Sequence, residues 1–426
     1  MKKQAAFVLK GNLLYCKDAD QIISAPNSYL VCEEGKVAGV FDTLPDHYTG
    51  IPVTDYGDKL IIPGLVDLHL HAPQYSFRGL GMDLELLDWL NINTFPEESK
   101  YADLDYARKA YQMFADAMAA GATTRACVFA TIHVPGTMLL MELLDKTGIH
   151  AMVGKVNMDR NSPDILRETS AQSLADTEQW LAACEGRYEN ITPILTPRFI
   201  PSCTDELMKG LASLQKKTGL PMQSHLSENL SEIAWVKELC PYSSSYGDAY
   251  DQLGMFGGDC PTVMAHCVHL TEEEIELAKK RGVFIAHCAQ SNTNLASGVA
   301  PMRTYLDHKM NVGLGTDVAG GFSPSIFRAM SDAVQASKLR WRLLDNSLKP
   351  LTMPEAFYLA TKGGGAFFGK VGSFEEGYEF DAVVIDDSSL VHPQELTPQE
   401  RLERVIYLSD ERNVSEKYIG GVHISK

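Results

Sequence analysis

The residues that point most directly to chemistry are two histidines, His69 and His71, in the segment HLH at the end of the apolar run VDLHLH. Successive side chains of a β-strand point to opposite faces, so residues two apart share a face and both imidazoles can reach one point. Imidazole nitrogens are common ligands of Zn²⁺. Two polar residues at the solvent end of a strand would give the same pattern, so HLH alone leaves a metal site and a surface pair open.

The elements that would position these histidines follow a parallel β/α pattern, because short apolar or β-branched runs alternate with helical segments. We count eight runs, at 60–71, 122–133, 150–158, 191–199, 220–228, 261–270, 282–291 and 311–320. Eight is the number of strands that closes a TIM barrel. The predicted fold class is therefore α/β, with a (β/α)8 barrel over residues 60–370 and a small β-sandwich formed by residues 1–59 and 371–426.

The ends of the predicted helices carry their own signals. Gly121, Gly219 and Gly282 each end a helical segment just before a strand, so we expect all three to take the left-handed C-cap conformation. Thr204 and Thr271 are each followed by acidic residues and are predicted to be N-caps.

Further candidate ligands lie at the carboxyl ends of other strands, where TIM barrels carry their chemistry. His225 ends the fifth predicted strand, His266 the sixth and Asp317 the eighth. With HLH they would bring three or four imidazoles and one carboxylate to the same mouth. That donor set suits Zn²⁺, with Fe²⁺ as the second choice. Such a metal lowers the pKa of a bound water to about 7 and supplies hydroxide at neutral pH.

Composition excludes several other classes of function. A net charge of −17 makes nucleic acid polymers and anionic membranes poor partners, since both need clustered basic residues. No window approaches the roughly 20 apolar residues of a membrane helix. The nine cysteines are odd in number and scattered without a CxxC pair, which indicates reduced thiols in a cytoplasmic protein. Any metal would then be held by histidine and carboxylate.

Several segments together resemble the guanine deaminase family of the amidohydrolase superfamily. They occur in order over nearly the whole chain and read HLHAPQYSFRGLGMDLELLDWLNINTFP, VGKVNMD, TPRF, QSHLSEN, VMAHC, IAHC and GLGTDVAGG. One departure is the pair Ala289 and Gln290, where relatives commonly carry Pro-Asn. This pair alters a loop after the seventh strand and removes no catalytic group.

The resemblance implies hydrolytic deamination of guanine to xanthine and ammonia, in purine catabolism or salvage, by a homodimer. It implies one Zn²⁺ per chain, with His266 orienting the attacking water and Glu228 shuttling protons. The implied metal ligands are His69, His71, His225 and Asp317. The implied substrate contacts are Gln74, Arg198, Phe199, His225, Glu228 and Asp317.

The chemistry requires groups of these types. Replacing an aromatic amino group by oxygen requires nucleophilic addition at guanine C2, so the site has to deprotonate water and protonate the base. We predict that Asp317 accepts the proton of the water while His266 positions it. Glu228 would protonate ring nitrogen N3 and then pass a proton to the departing amino group.

The predicted substrate pocket uses a different set of side chains. Arg198 would donate to the O6 oxygen, and Gln74 offers both a donor and an acceptor for ring nitrogens and the exocyclic edge. Phe199 or Trp89 would supply an aromatic wall. Arg198 with Gln74 favours guanine over cytosine, adenosine-type nucleosides or triazines, the substrates of relatives with the same one-metal plan.

Other interpretations remain open from the sequence. Glu228 would equally cap the following helix, and Arg198 would equally form a surface ion pair. His133 and His287 also end predicted strands, and we interpret them as structural because the metal shell is already full. Lys155 lies on the third strand, whereas the carboxylated lysine that bridges two metals in hydantoinase-like relatives belongs at the fourth. A catalytically silent scaffold would have the same fold.

Overall fold

The computed structural model describes residues 6–424, in which strands and helices alternate. The strands are β1 (Ala6–Cys16), β2 (Ile22–Glu33), β3 (Lys36–Phe41), β4 (Val53–Pro63), β5 (Leu65–His71), β6 (Thr123–Phe129), β7 (His150–Gly154), β8 (Val156–Asn157), β9 (Ile191–Pro193), β10 (Thr196–Pro197), β11 (Met222–Leu226), β12 (Thr262–His266), β13 (Phe284–His287), β14 (Asn311–Leu314), β15 (Ala382–Ile385), β16 (Val414–Ile419) and β17 (Val422–Ile424).

The α-helices lie mainly between these strands. They are α1 (Leu86–Trp89), α2 (Phe95–Glu98), α3 (Leu104–Ala120), α4 (Val134–Thr147), α5 (Ser170–Cys184), α6 (Asp205–Thr218), α7 (Leu230–Leu239), α8 (Tyr246–Gln252), α9 (Glu272–Arg281), α10 (Ala289–Asn294), α11 (Met302–Asp307), α12 (Ile326–Leu343), α13 (Met353–Tyr358) and α14 (Pro398–Leu408). Over residues 6–424, none of these helices combines the length and apolar character needed to cross a membrane.

Each of the eight predicted strand runs contains strands of parallel sheets. One sheet has the order β5-β6-β7-β9, another β11-β12-β13-β14, and β8 pairs with β10. A bridge between Leu195 and Met222 joins the first half of this set to β11. At the other end, the backbone N–H of Asp317 donates to the carbonyl of His69, so the segment after β14 lies beside β5. This arrangement brings the carboxyl ends of the strands together, and closure of a full (β/α)8 barrel stays a prediction.

A seven-stranded sheet contains strands from both ends of the chain, in the order β17-β16-β15-β4-β1-β2-β3. The terminal segments pair where β15 runs antiparallel to β4, with Val384 opposite Ile61. A buried ion pair joins this sheet to β6, because Arg125 Nε lies 2.6 Å from Asp381 Oδ2. The division of the terminal segments into a β-sandwich stays a prediction.

The first predicted run, 60–71, is divided between two sheets. β4 continues to Pro63 in the seven-stranded sheet, and β5 begins at Leu65 in a parallel sheet. Gly64 separates them, and a side chain at this position would collide with Thr124. The apolar run is continuous in sequence because both strand ends are buried, so periodicity alone does not reveal the break.

Four of the five predicted helix ends are confirmed. The Thr204 side chain accepts a hydrogen bond from the backbone N–H of residue 207, and Thr271 forms a capping box at the start of α9. Gly219 and Gly282 end α6 and α9 with φ of 71° and 68°, the left-handed conformation that glycine adopts without steric cost.

The prediction for Gly121 is wrong, because this residue is extended, with φ −78° and ψ 176°. A lysine from the far end of the chain performs the function of the left-handed cap. Lys417 Nζ donates to the carbonyls of Met118, Ala119 and Gly121 at 3.1, 2.9 and 3.0 Å. Two carbonyls in the last turn of α3, those of Met118 and Ala119, are therefore satisfied.

Candidate metal and substrate site

Imidazoles and a carboxylate meet at the carboxyl ends of the parallel strands, and all of them are buried. The Nε2 atoms of His71 and His225 are 3.2 Å apart. Asp317 Oδ1 lies 3.1 Å from His69 Nε2 and 3.4 Å from His71 Nε2. The ligand atoms of His69, His225 and His266 also lie within 4.8 Å of one another. The structure thus brings together all five side chains that the strand-end pattern predicts.

The chemistry of these atoms fits a bound cation. His225 Nδ1 donates to the carbonyl of Arg198 at 2.5 Å, which leaves the lone pair on Nε2. Burial lowers the pKa of His71 and His225 well below the ordinary value, and the His69 ring lowers both further. Neutral nitrogens therefore face one another. His69 Nε2 is buried and, although Asp317 Oδ1 lies 3.1 Å away, it makes no hydrogen bond of acceptable geometry among the described residues. A divalent cation between these atoms would satisfy lone pairs whose burial is otherwise costly.

A buried aspartate, Asp67, fixes the segment that carries His69 against the segment that carries Asp317. Asp67 Oδ1 accepts the backbone N–H of His69 at 3.2 Å and that of Thr316 at 3.1 Å, and Thr316 Oγ1 donates to Asp67 Oδ2 at 2.5 Å. The segment after β14 is thereby fixed against β5. Asp317 and His266 have φ of 47° and 72°, a conformation that is uncommon for residues other than glycine and is found at functional sites.

Glu228 and His266 form a second group beside the first. His266 Nε2 lies 3.4 Å from Glu228 Oε2 and 3.7 Å from Asp317 Oδ2. Ser297 Oγ donates to Glu228 Oε1 at 3.1 Å, and His266 Nδ1 donates to Asn292 Oδ1 at 2.9 Å. Burial raises the pKa of Glu228 to about 7. Glu228 therefore has a pKa at which a carboxyl group both gains and loses a proton near neutral pH.

The charge states of His266 and Asp317, which lie near Glu228, follow from their neighbours. Burial disfavours the charged form of His266, but the Glu228 and Asp317 carboxylates outweigh it and raise its pKa. Burial alone would raise the pKa of Asp317, but the imidazoles beside it, His69 first, hold that pKa far below its ordinary range. Asp317 is therefore ionised at neutral pH.

The alternative role of Glu228 as a helix cap is taken by its neighbours. Asn229 is the N-cap of α7, and its side chain accepts the backbone N–H of Ser231 at 2.8 Å. Glu232 Oε2 accepts the backbone N–H groups of Glu228 and Asn229 at 3.0 and 3.3 Å. The Glu228 side chain instead lines the central pocket.

This pocket encloses about 400 Å³ of space free of protein atoms, a figure that includes the solvent at its open mouth. Every predicted site residue except His69 lines it, and His69 lies next to it against Asp317. Leu86 and Trp89 of α1, with the adjacent Leu90, also line the pocket. The lining residues are His71, Gln74, Leu86, Trp89, Leu90, Arg198, Phe199, His225, Glu228, His266, Leu295 and Asp317.

Arg198 forms an ion pair that is buried rather than at the surface. Its Nη1 lies 2.6 Å from Glu98 Oε2, and its Nη2 lies 3.1 Å from Glu98 Oε1. Gln74 Nε2 donates to the same Glu98 Oε1 at 2.9 Å, and Gln74 Oε1 accepts the backbone N–H of Ala319 at 3.1 Å. Sequence reasoning missed Glu98, because the segment FPEES has no pattern that separates this carboxylate from the solvated acids of a short helix.

Comparison with known proteins gives the family of the chain. The Amidohydrolase family model matches residues 60–424. The chain belongs to the amidohydrolase family. As an amidohydrolase it is an enzyme, a hydrolase that acts on carbon–nitrogen bonds.

Full-length relatives of this amidohydrolase come from distant organisms. A guanine deaminase of Dictyostelium discoideum is 38% identical and covers 97% of this chain and 97% of its own. A guanine deaminase of Rattus norvegicus is 39% identical over 98% of this chain and 92% of its own. Among solved structures, a guanine deaminase of C. acetobutylicum with bound guanine in the active site is 49% identical, with a TM-score of 0.96, over 99% of this chain and 100% of that one.

Three residues considered from the sequence lie outside the pocket of this amidohydrolase. His133 is the N-cap residue of α4, and His287 is buried with no hydrogen bond to either ring nitrogen among residues 6–424. Lys155 Nζ lies 2.6 Å from Glu168 Oε1. Because this amine is already paired with a carboxylate, the geometry does not support a lysine bridge between two metals.

Proposed function

We propose that this amidohydrolase converts guanine to xanthine and ammonia by hydrolysis. One observation carries the proposal: buried imidazoles, the Glu228 carboxyl group and Arg198 line a single pocket. The similarity over 99% of the chain to a guanine deaminase that was solved with guanine in its active site supports the choice of substrate.

The metal belongs to the same proposal. We assign one divalent ion per chain to His69, His71, His225 and Asp317, with Zn²⁺ as first choice and Fe²⁺ as second. A bound ion of this kind lowers the pKa of water to about 7 and so provides a nucleophile at neutral pH. The neutral, buried nitrogens and the ionised carboxylate described above support this assignment.

The protons are moved by groups of the chain itself. Asp317 accepts a proton from the attacking water, and His266, whose Nδ1 is held by Asn292, orients that water through Nε2. Glu228 gives a proton to ring nitrogen N3, takes up the hydroxyl proton of the C2 adduct and passes that proton to the amino group. The proton held by Asp317 then restores the Glu228 carboxyl group. A carbon–oxygen bond forms at C2, the carbon–nitrogen bond breaks, and ammonia leaves. The pKa of Glu228, about 7, suits a group that both accepts and releases protons.

Recognition of the purine depends on the opposite wall of the pocket. Arg198 donates to O6 and Gln74 binds the polar edge of the ring, while Phe199 or Trp89 packs against its face. All four line the pocket. A base without the C6 oxygen would leave unpaired those buried N–H groups of Arg198 that do not face Glu98, and this penalty is the source of discrimination.

The finer architecture and the assembly are also proposals. We divide the chain into a (β/α)8 barrel over residues 60–370 and a β-sandwich of residues 1–59 and 371–426, of which 1–5 and 425–426 lie outside the described residues. The parallel strand orders and the pairing of β4 with β15 support this division. We propose that the enzyme is a cytoplasmic homodimer that acts in purine catabolism or salvage, as the family resemblance implies.

A panel of bases tests the proposed substrate. The purified protein is incubated separately with guanine, adenine, cytosine and ammeline, and ammonia and the ultraviolet spectrum are followed. Conversion of guanine in clear preference to the other bases is expected. Release of ammonia from another base but not from guanine would support a hydrolytic site and contradict the roles given to Arg198 and Gln74. No ammonia from any base, with metal present, would favour a catalytically silent scaffold.

A further inference from the structure

Glu98 lies behind the pocket wall and joins both side chains that we assign to purine recognition. The carboxylate is 3% exposed and is not a lining residue of the pocket. One of its oxygens accepts from both Arg198 and Gln74, and the other accepts from Arg198 alone. The ring of Phe95, at the start of the same helix, lies 5.4 Å from Arg198 Cζ. Helix α2 thus contacts the guanidinium group on two sides.

This arrangement fixes the orientation of both side chains. Two parallel N–H···O bonds hold the plane of the Arg198 guanidinium, which a single contact would leave free to rotate. Gln74 is held at both ends, by Glu98 through Nε2 and by the backbone of Ala319 through Oε1. Glu98 also supplies the negative charge that makes a buried arginine tolerable.

We propose that Glu98 is a positioning residue that sets purine specificity by orienting Arg198 and Gln74. The inference rests on the proposed guanine deaminase function. It concerns recognition of the O6 edge rather than the proton steps, because Glu98 makes no contact with Glu228, His266 or Asp317 among the hydrogen bonds and ion pairs of the described chain.

The neighbouring acid on the same helix serves a different purpose. Glu97 accepts from Ser76 Oγ at 2.6 Å and from Tyr106, and it pairs with Lys100 Nζ at 2.6 Å. None of these three partners lines the pocket. Glu97 therefore anchors α2 to its surroundings, and Glu97→Gln is a matched control for the loss of one carboxylate from this helix.

The test compares guanine with 2-aminopurine, which carries the amino group at C2 but lacks the C6 oxygen. For the wild type, Glu98→Gln and Glu97→Gln we would measure kcat/KM for guanine, the inhibition constant of 2-aminopurine against guanine, and metal content. We expect Glu98→Gln to lower kcat/KM for guanine on the order of 10- to 100-fold, the range seen when a supporting partner of a site residue is lost. Its inhibition constant for 2-aminopurine should rise much less than kcat/KM for guanine falls, because only the Gln74 contact is affected, and its metal content should stay close to the wild-type value. Glu97→Gln should leave all three quantities close to wild type.

Two results would overturn the inference. One is an equal loss of guanine turnover and 2-aminopurine binding in Glu98→Gln, and the other is an equal loss in Glu97→Gln, since either would indicate general packing of α2. A wild-type protein that does not deaminate guanine would instead contradict the proposed function. Failure of the proposed function is therefore seen in the wild type, and failure of the inference about Glu98 is seen only in the variants.

A double variant keeps the inference testable if Glu98→Gln does not fold. Glu98→Gln combined with Arg198→Met removes both buried charges, which is often tolerated when removal of one is not. If Glu98 acts through Arg198, the double variant should discriminate guanine from 2-aminopurine no worse than Arg198→Met alone. A further loss of discrimination in the double variant would contradict this role.

Discussion

Replacing Glu228 by glutamine tests the proton transfers that we propose for its carboxyl group. The substitution keeps the size of the side chain and an oxygen that can accept from Ser297 Oγ, which lies 3.1 Å from Glu228 Oε1. It removes the group that would protonate N3 and the departing amino group. Because Glu228 is not in the proposed ligand set, the metal should be retained.

The expected loss of kcat is large because no other group in the pocket can replace Glu228 as the proton donor. A positioned acid or base contributes typically about 10²- to 10⁴-fold to a rate. The other pocket carboxylate, Asp317, is ionised until it takes the proton of the water, so it has no proton to give to N3 at the start of the reaction. We therefore expect kcat to fall at least about 100-fold, or roughly 2.7 kcal/mol of transition-state stabilisation.

A neighbouring carboxyl group provides the control. Glu232 is also buried and lies near the start of α7, but it accepts from Tyr246 Oη at 2.7 Å and does not line the pocket. Glu232→Gln should lower the free energy of unfolding by about 1–3 kcal/mol through its weakened hydrogen bonds, with much less effect on kcat.

The assay is steady-state release of ammonia from guanine, with metal content and thermal unfolding measured on the same preparations. Retention of more than about a tenth of wild-type kcat by Glu228→Gln would refute the reasoning, given the range expected for acid–base catalysis. Equal losses of kcat in Glu228→Gln and Glu232→Gln would indicate a shared effect on the helix start instead.

Three further predictions concern the metal, the substrate and the fold. Asp317→Asn should lower both metal content and kcat, and elemental analysis showing full metal with normal turnover would contradict its role. Arg198→Ala should lower kcat/KM for guanine about 10- to 150-fold without loss of metal, because one hydrogen bond from a charged group is worth that much. An unchanged kcat/KM would show that Arg198 does not contribute to guanine binding. Asp381→Asn should lower the free energy of unfolding at pH 7 by about 3–5 kcal/mol in urea titrations, because Arg125 loses its buried partner. Burial alone would raise the pKa of Asp381, but Arg125 outweighs burial and lowers it. The difference in unfolding free energy between wild type and Asp381→Asn should therefore be largest at neutral pH and should shrink as the pH falls below about 4. A difference that grows in acid would contradict the pairing.

The cluster of imidazoles around Asp317 was predictable because its signals are local. His69 and His71 share a strand face, and His225 and His266 end strands that the apolar pattern marks clearly. Parallel strands align their carboxyl ends, so residues distant in sequence could be assigned to one place without knowledge of their contacts.

The supporting contacts were not predictable, because they depend on partners that no local pattern connects. Glu98 meets Gln74 across 24 positions and Arg198 across 100. Lys417 reaches the carbonyl of Gly121 from 296 positions away and replaces the expected left-handed cap. Such pairs are set by how the elements pack, and composition or periodicity carries no signal for them.

The most direct test of the central claim is to quantify metal in the purified protein and then measure xanthine and ammonia formed from guanine in the same sample. We predict equal amounts of xanthine and ammonia, with about one zinc ion per chain. A metal-loaded protein that forms no xanthine from guanine would contradict the account.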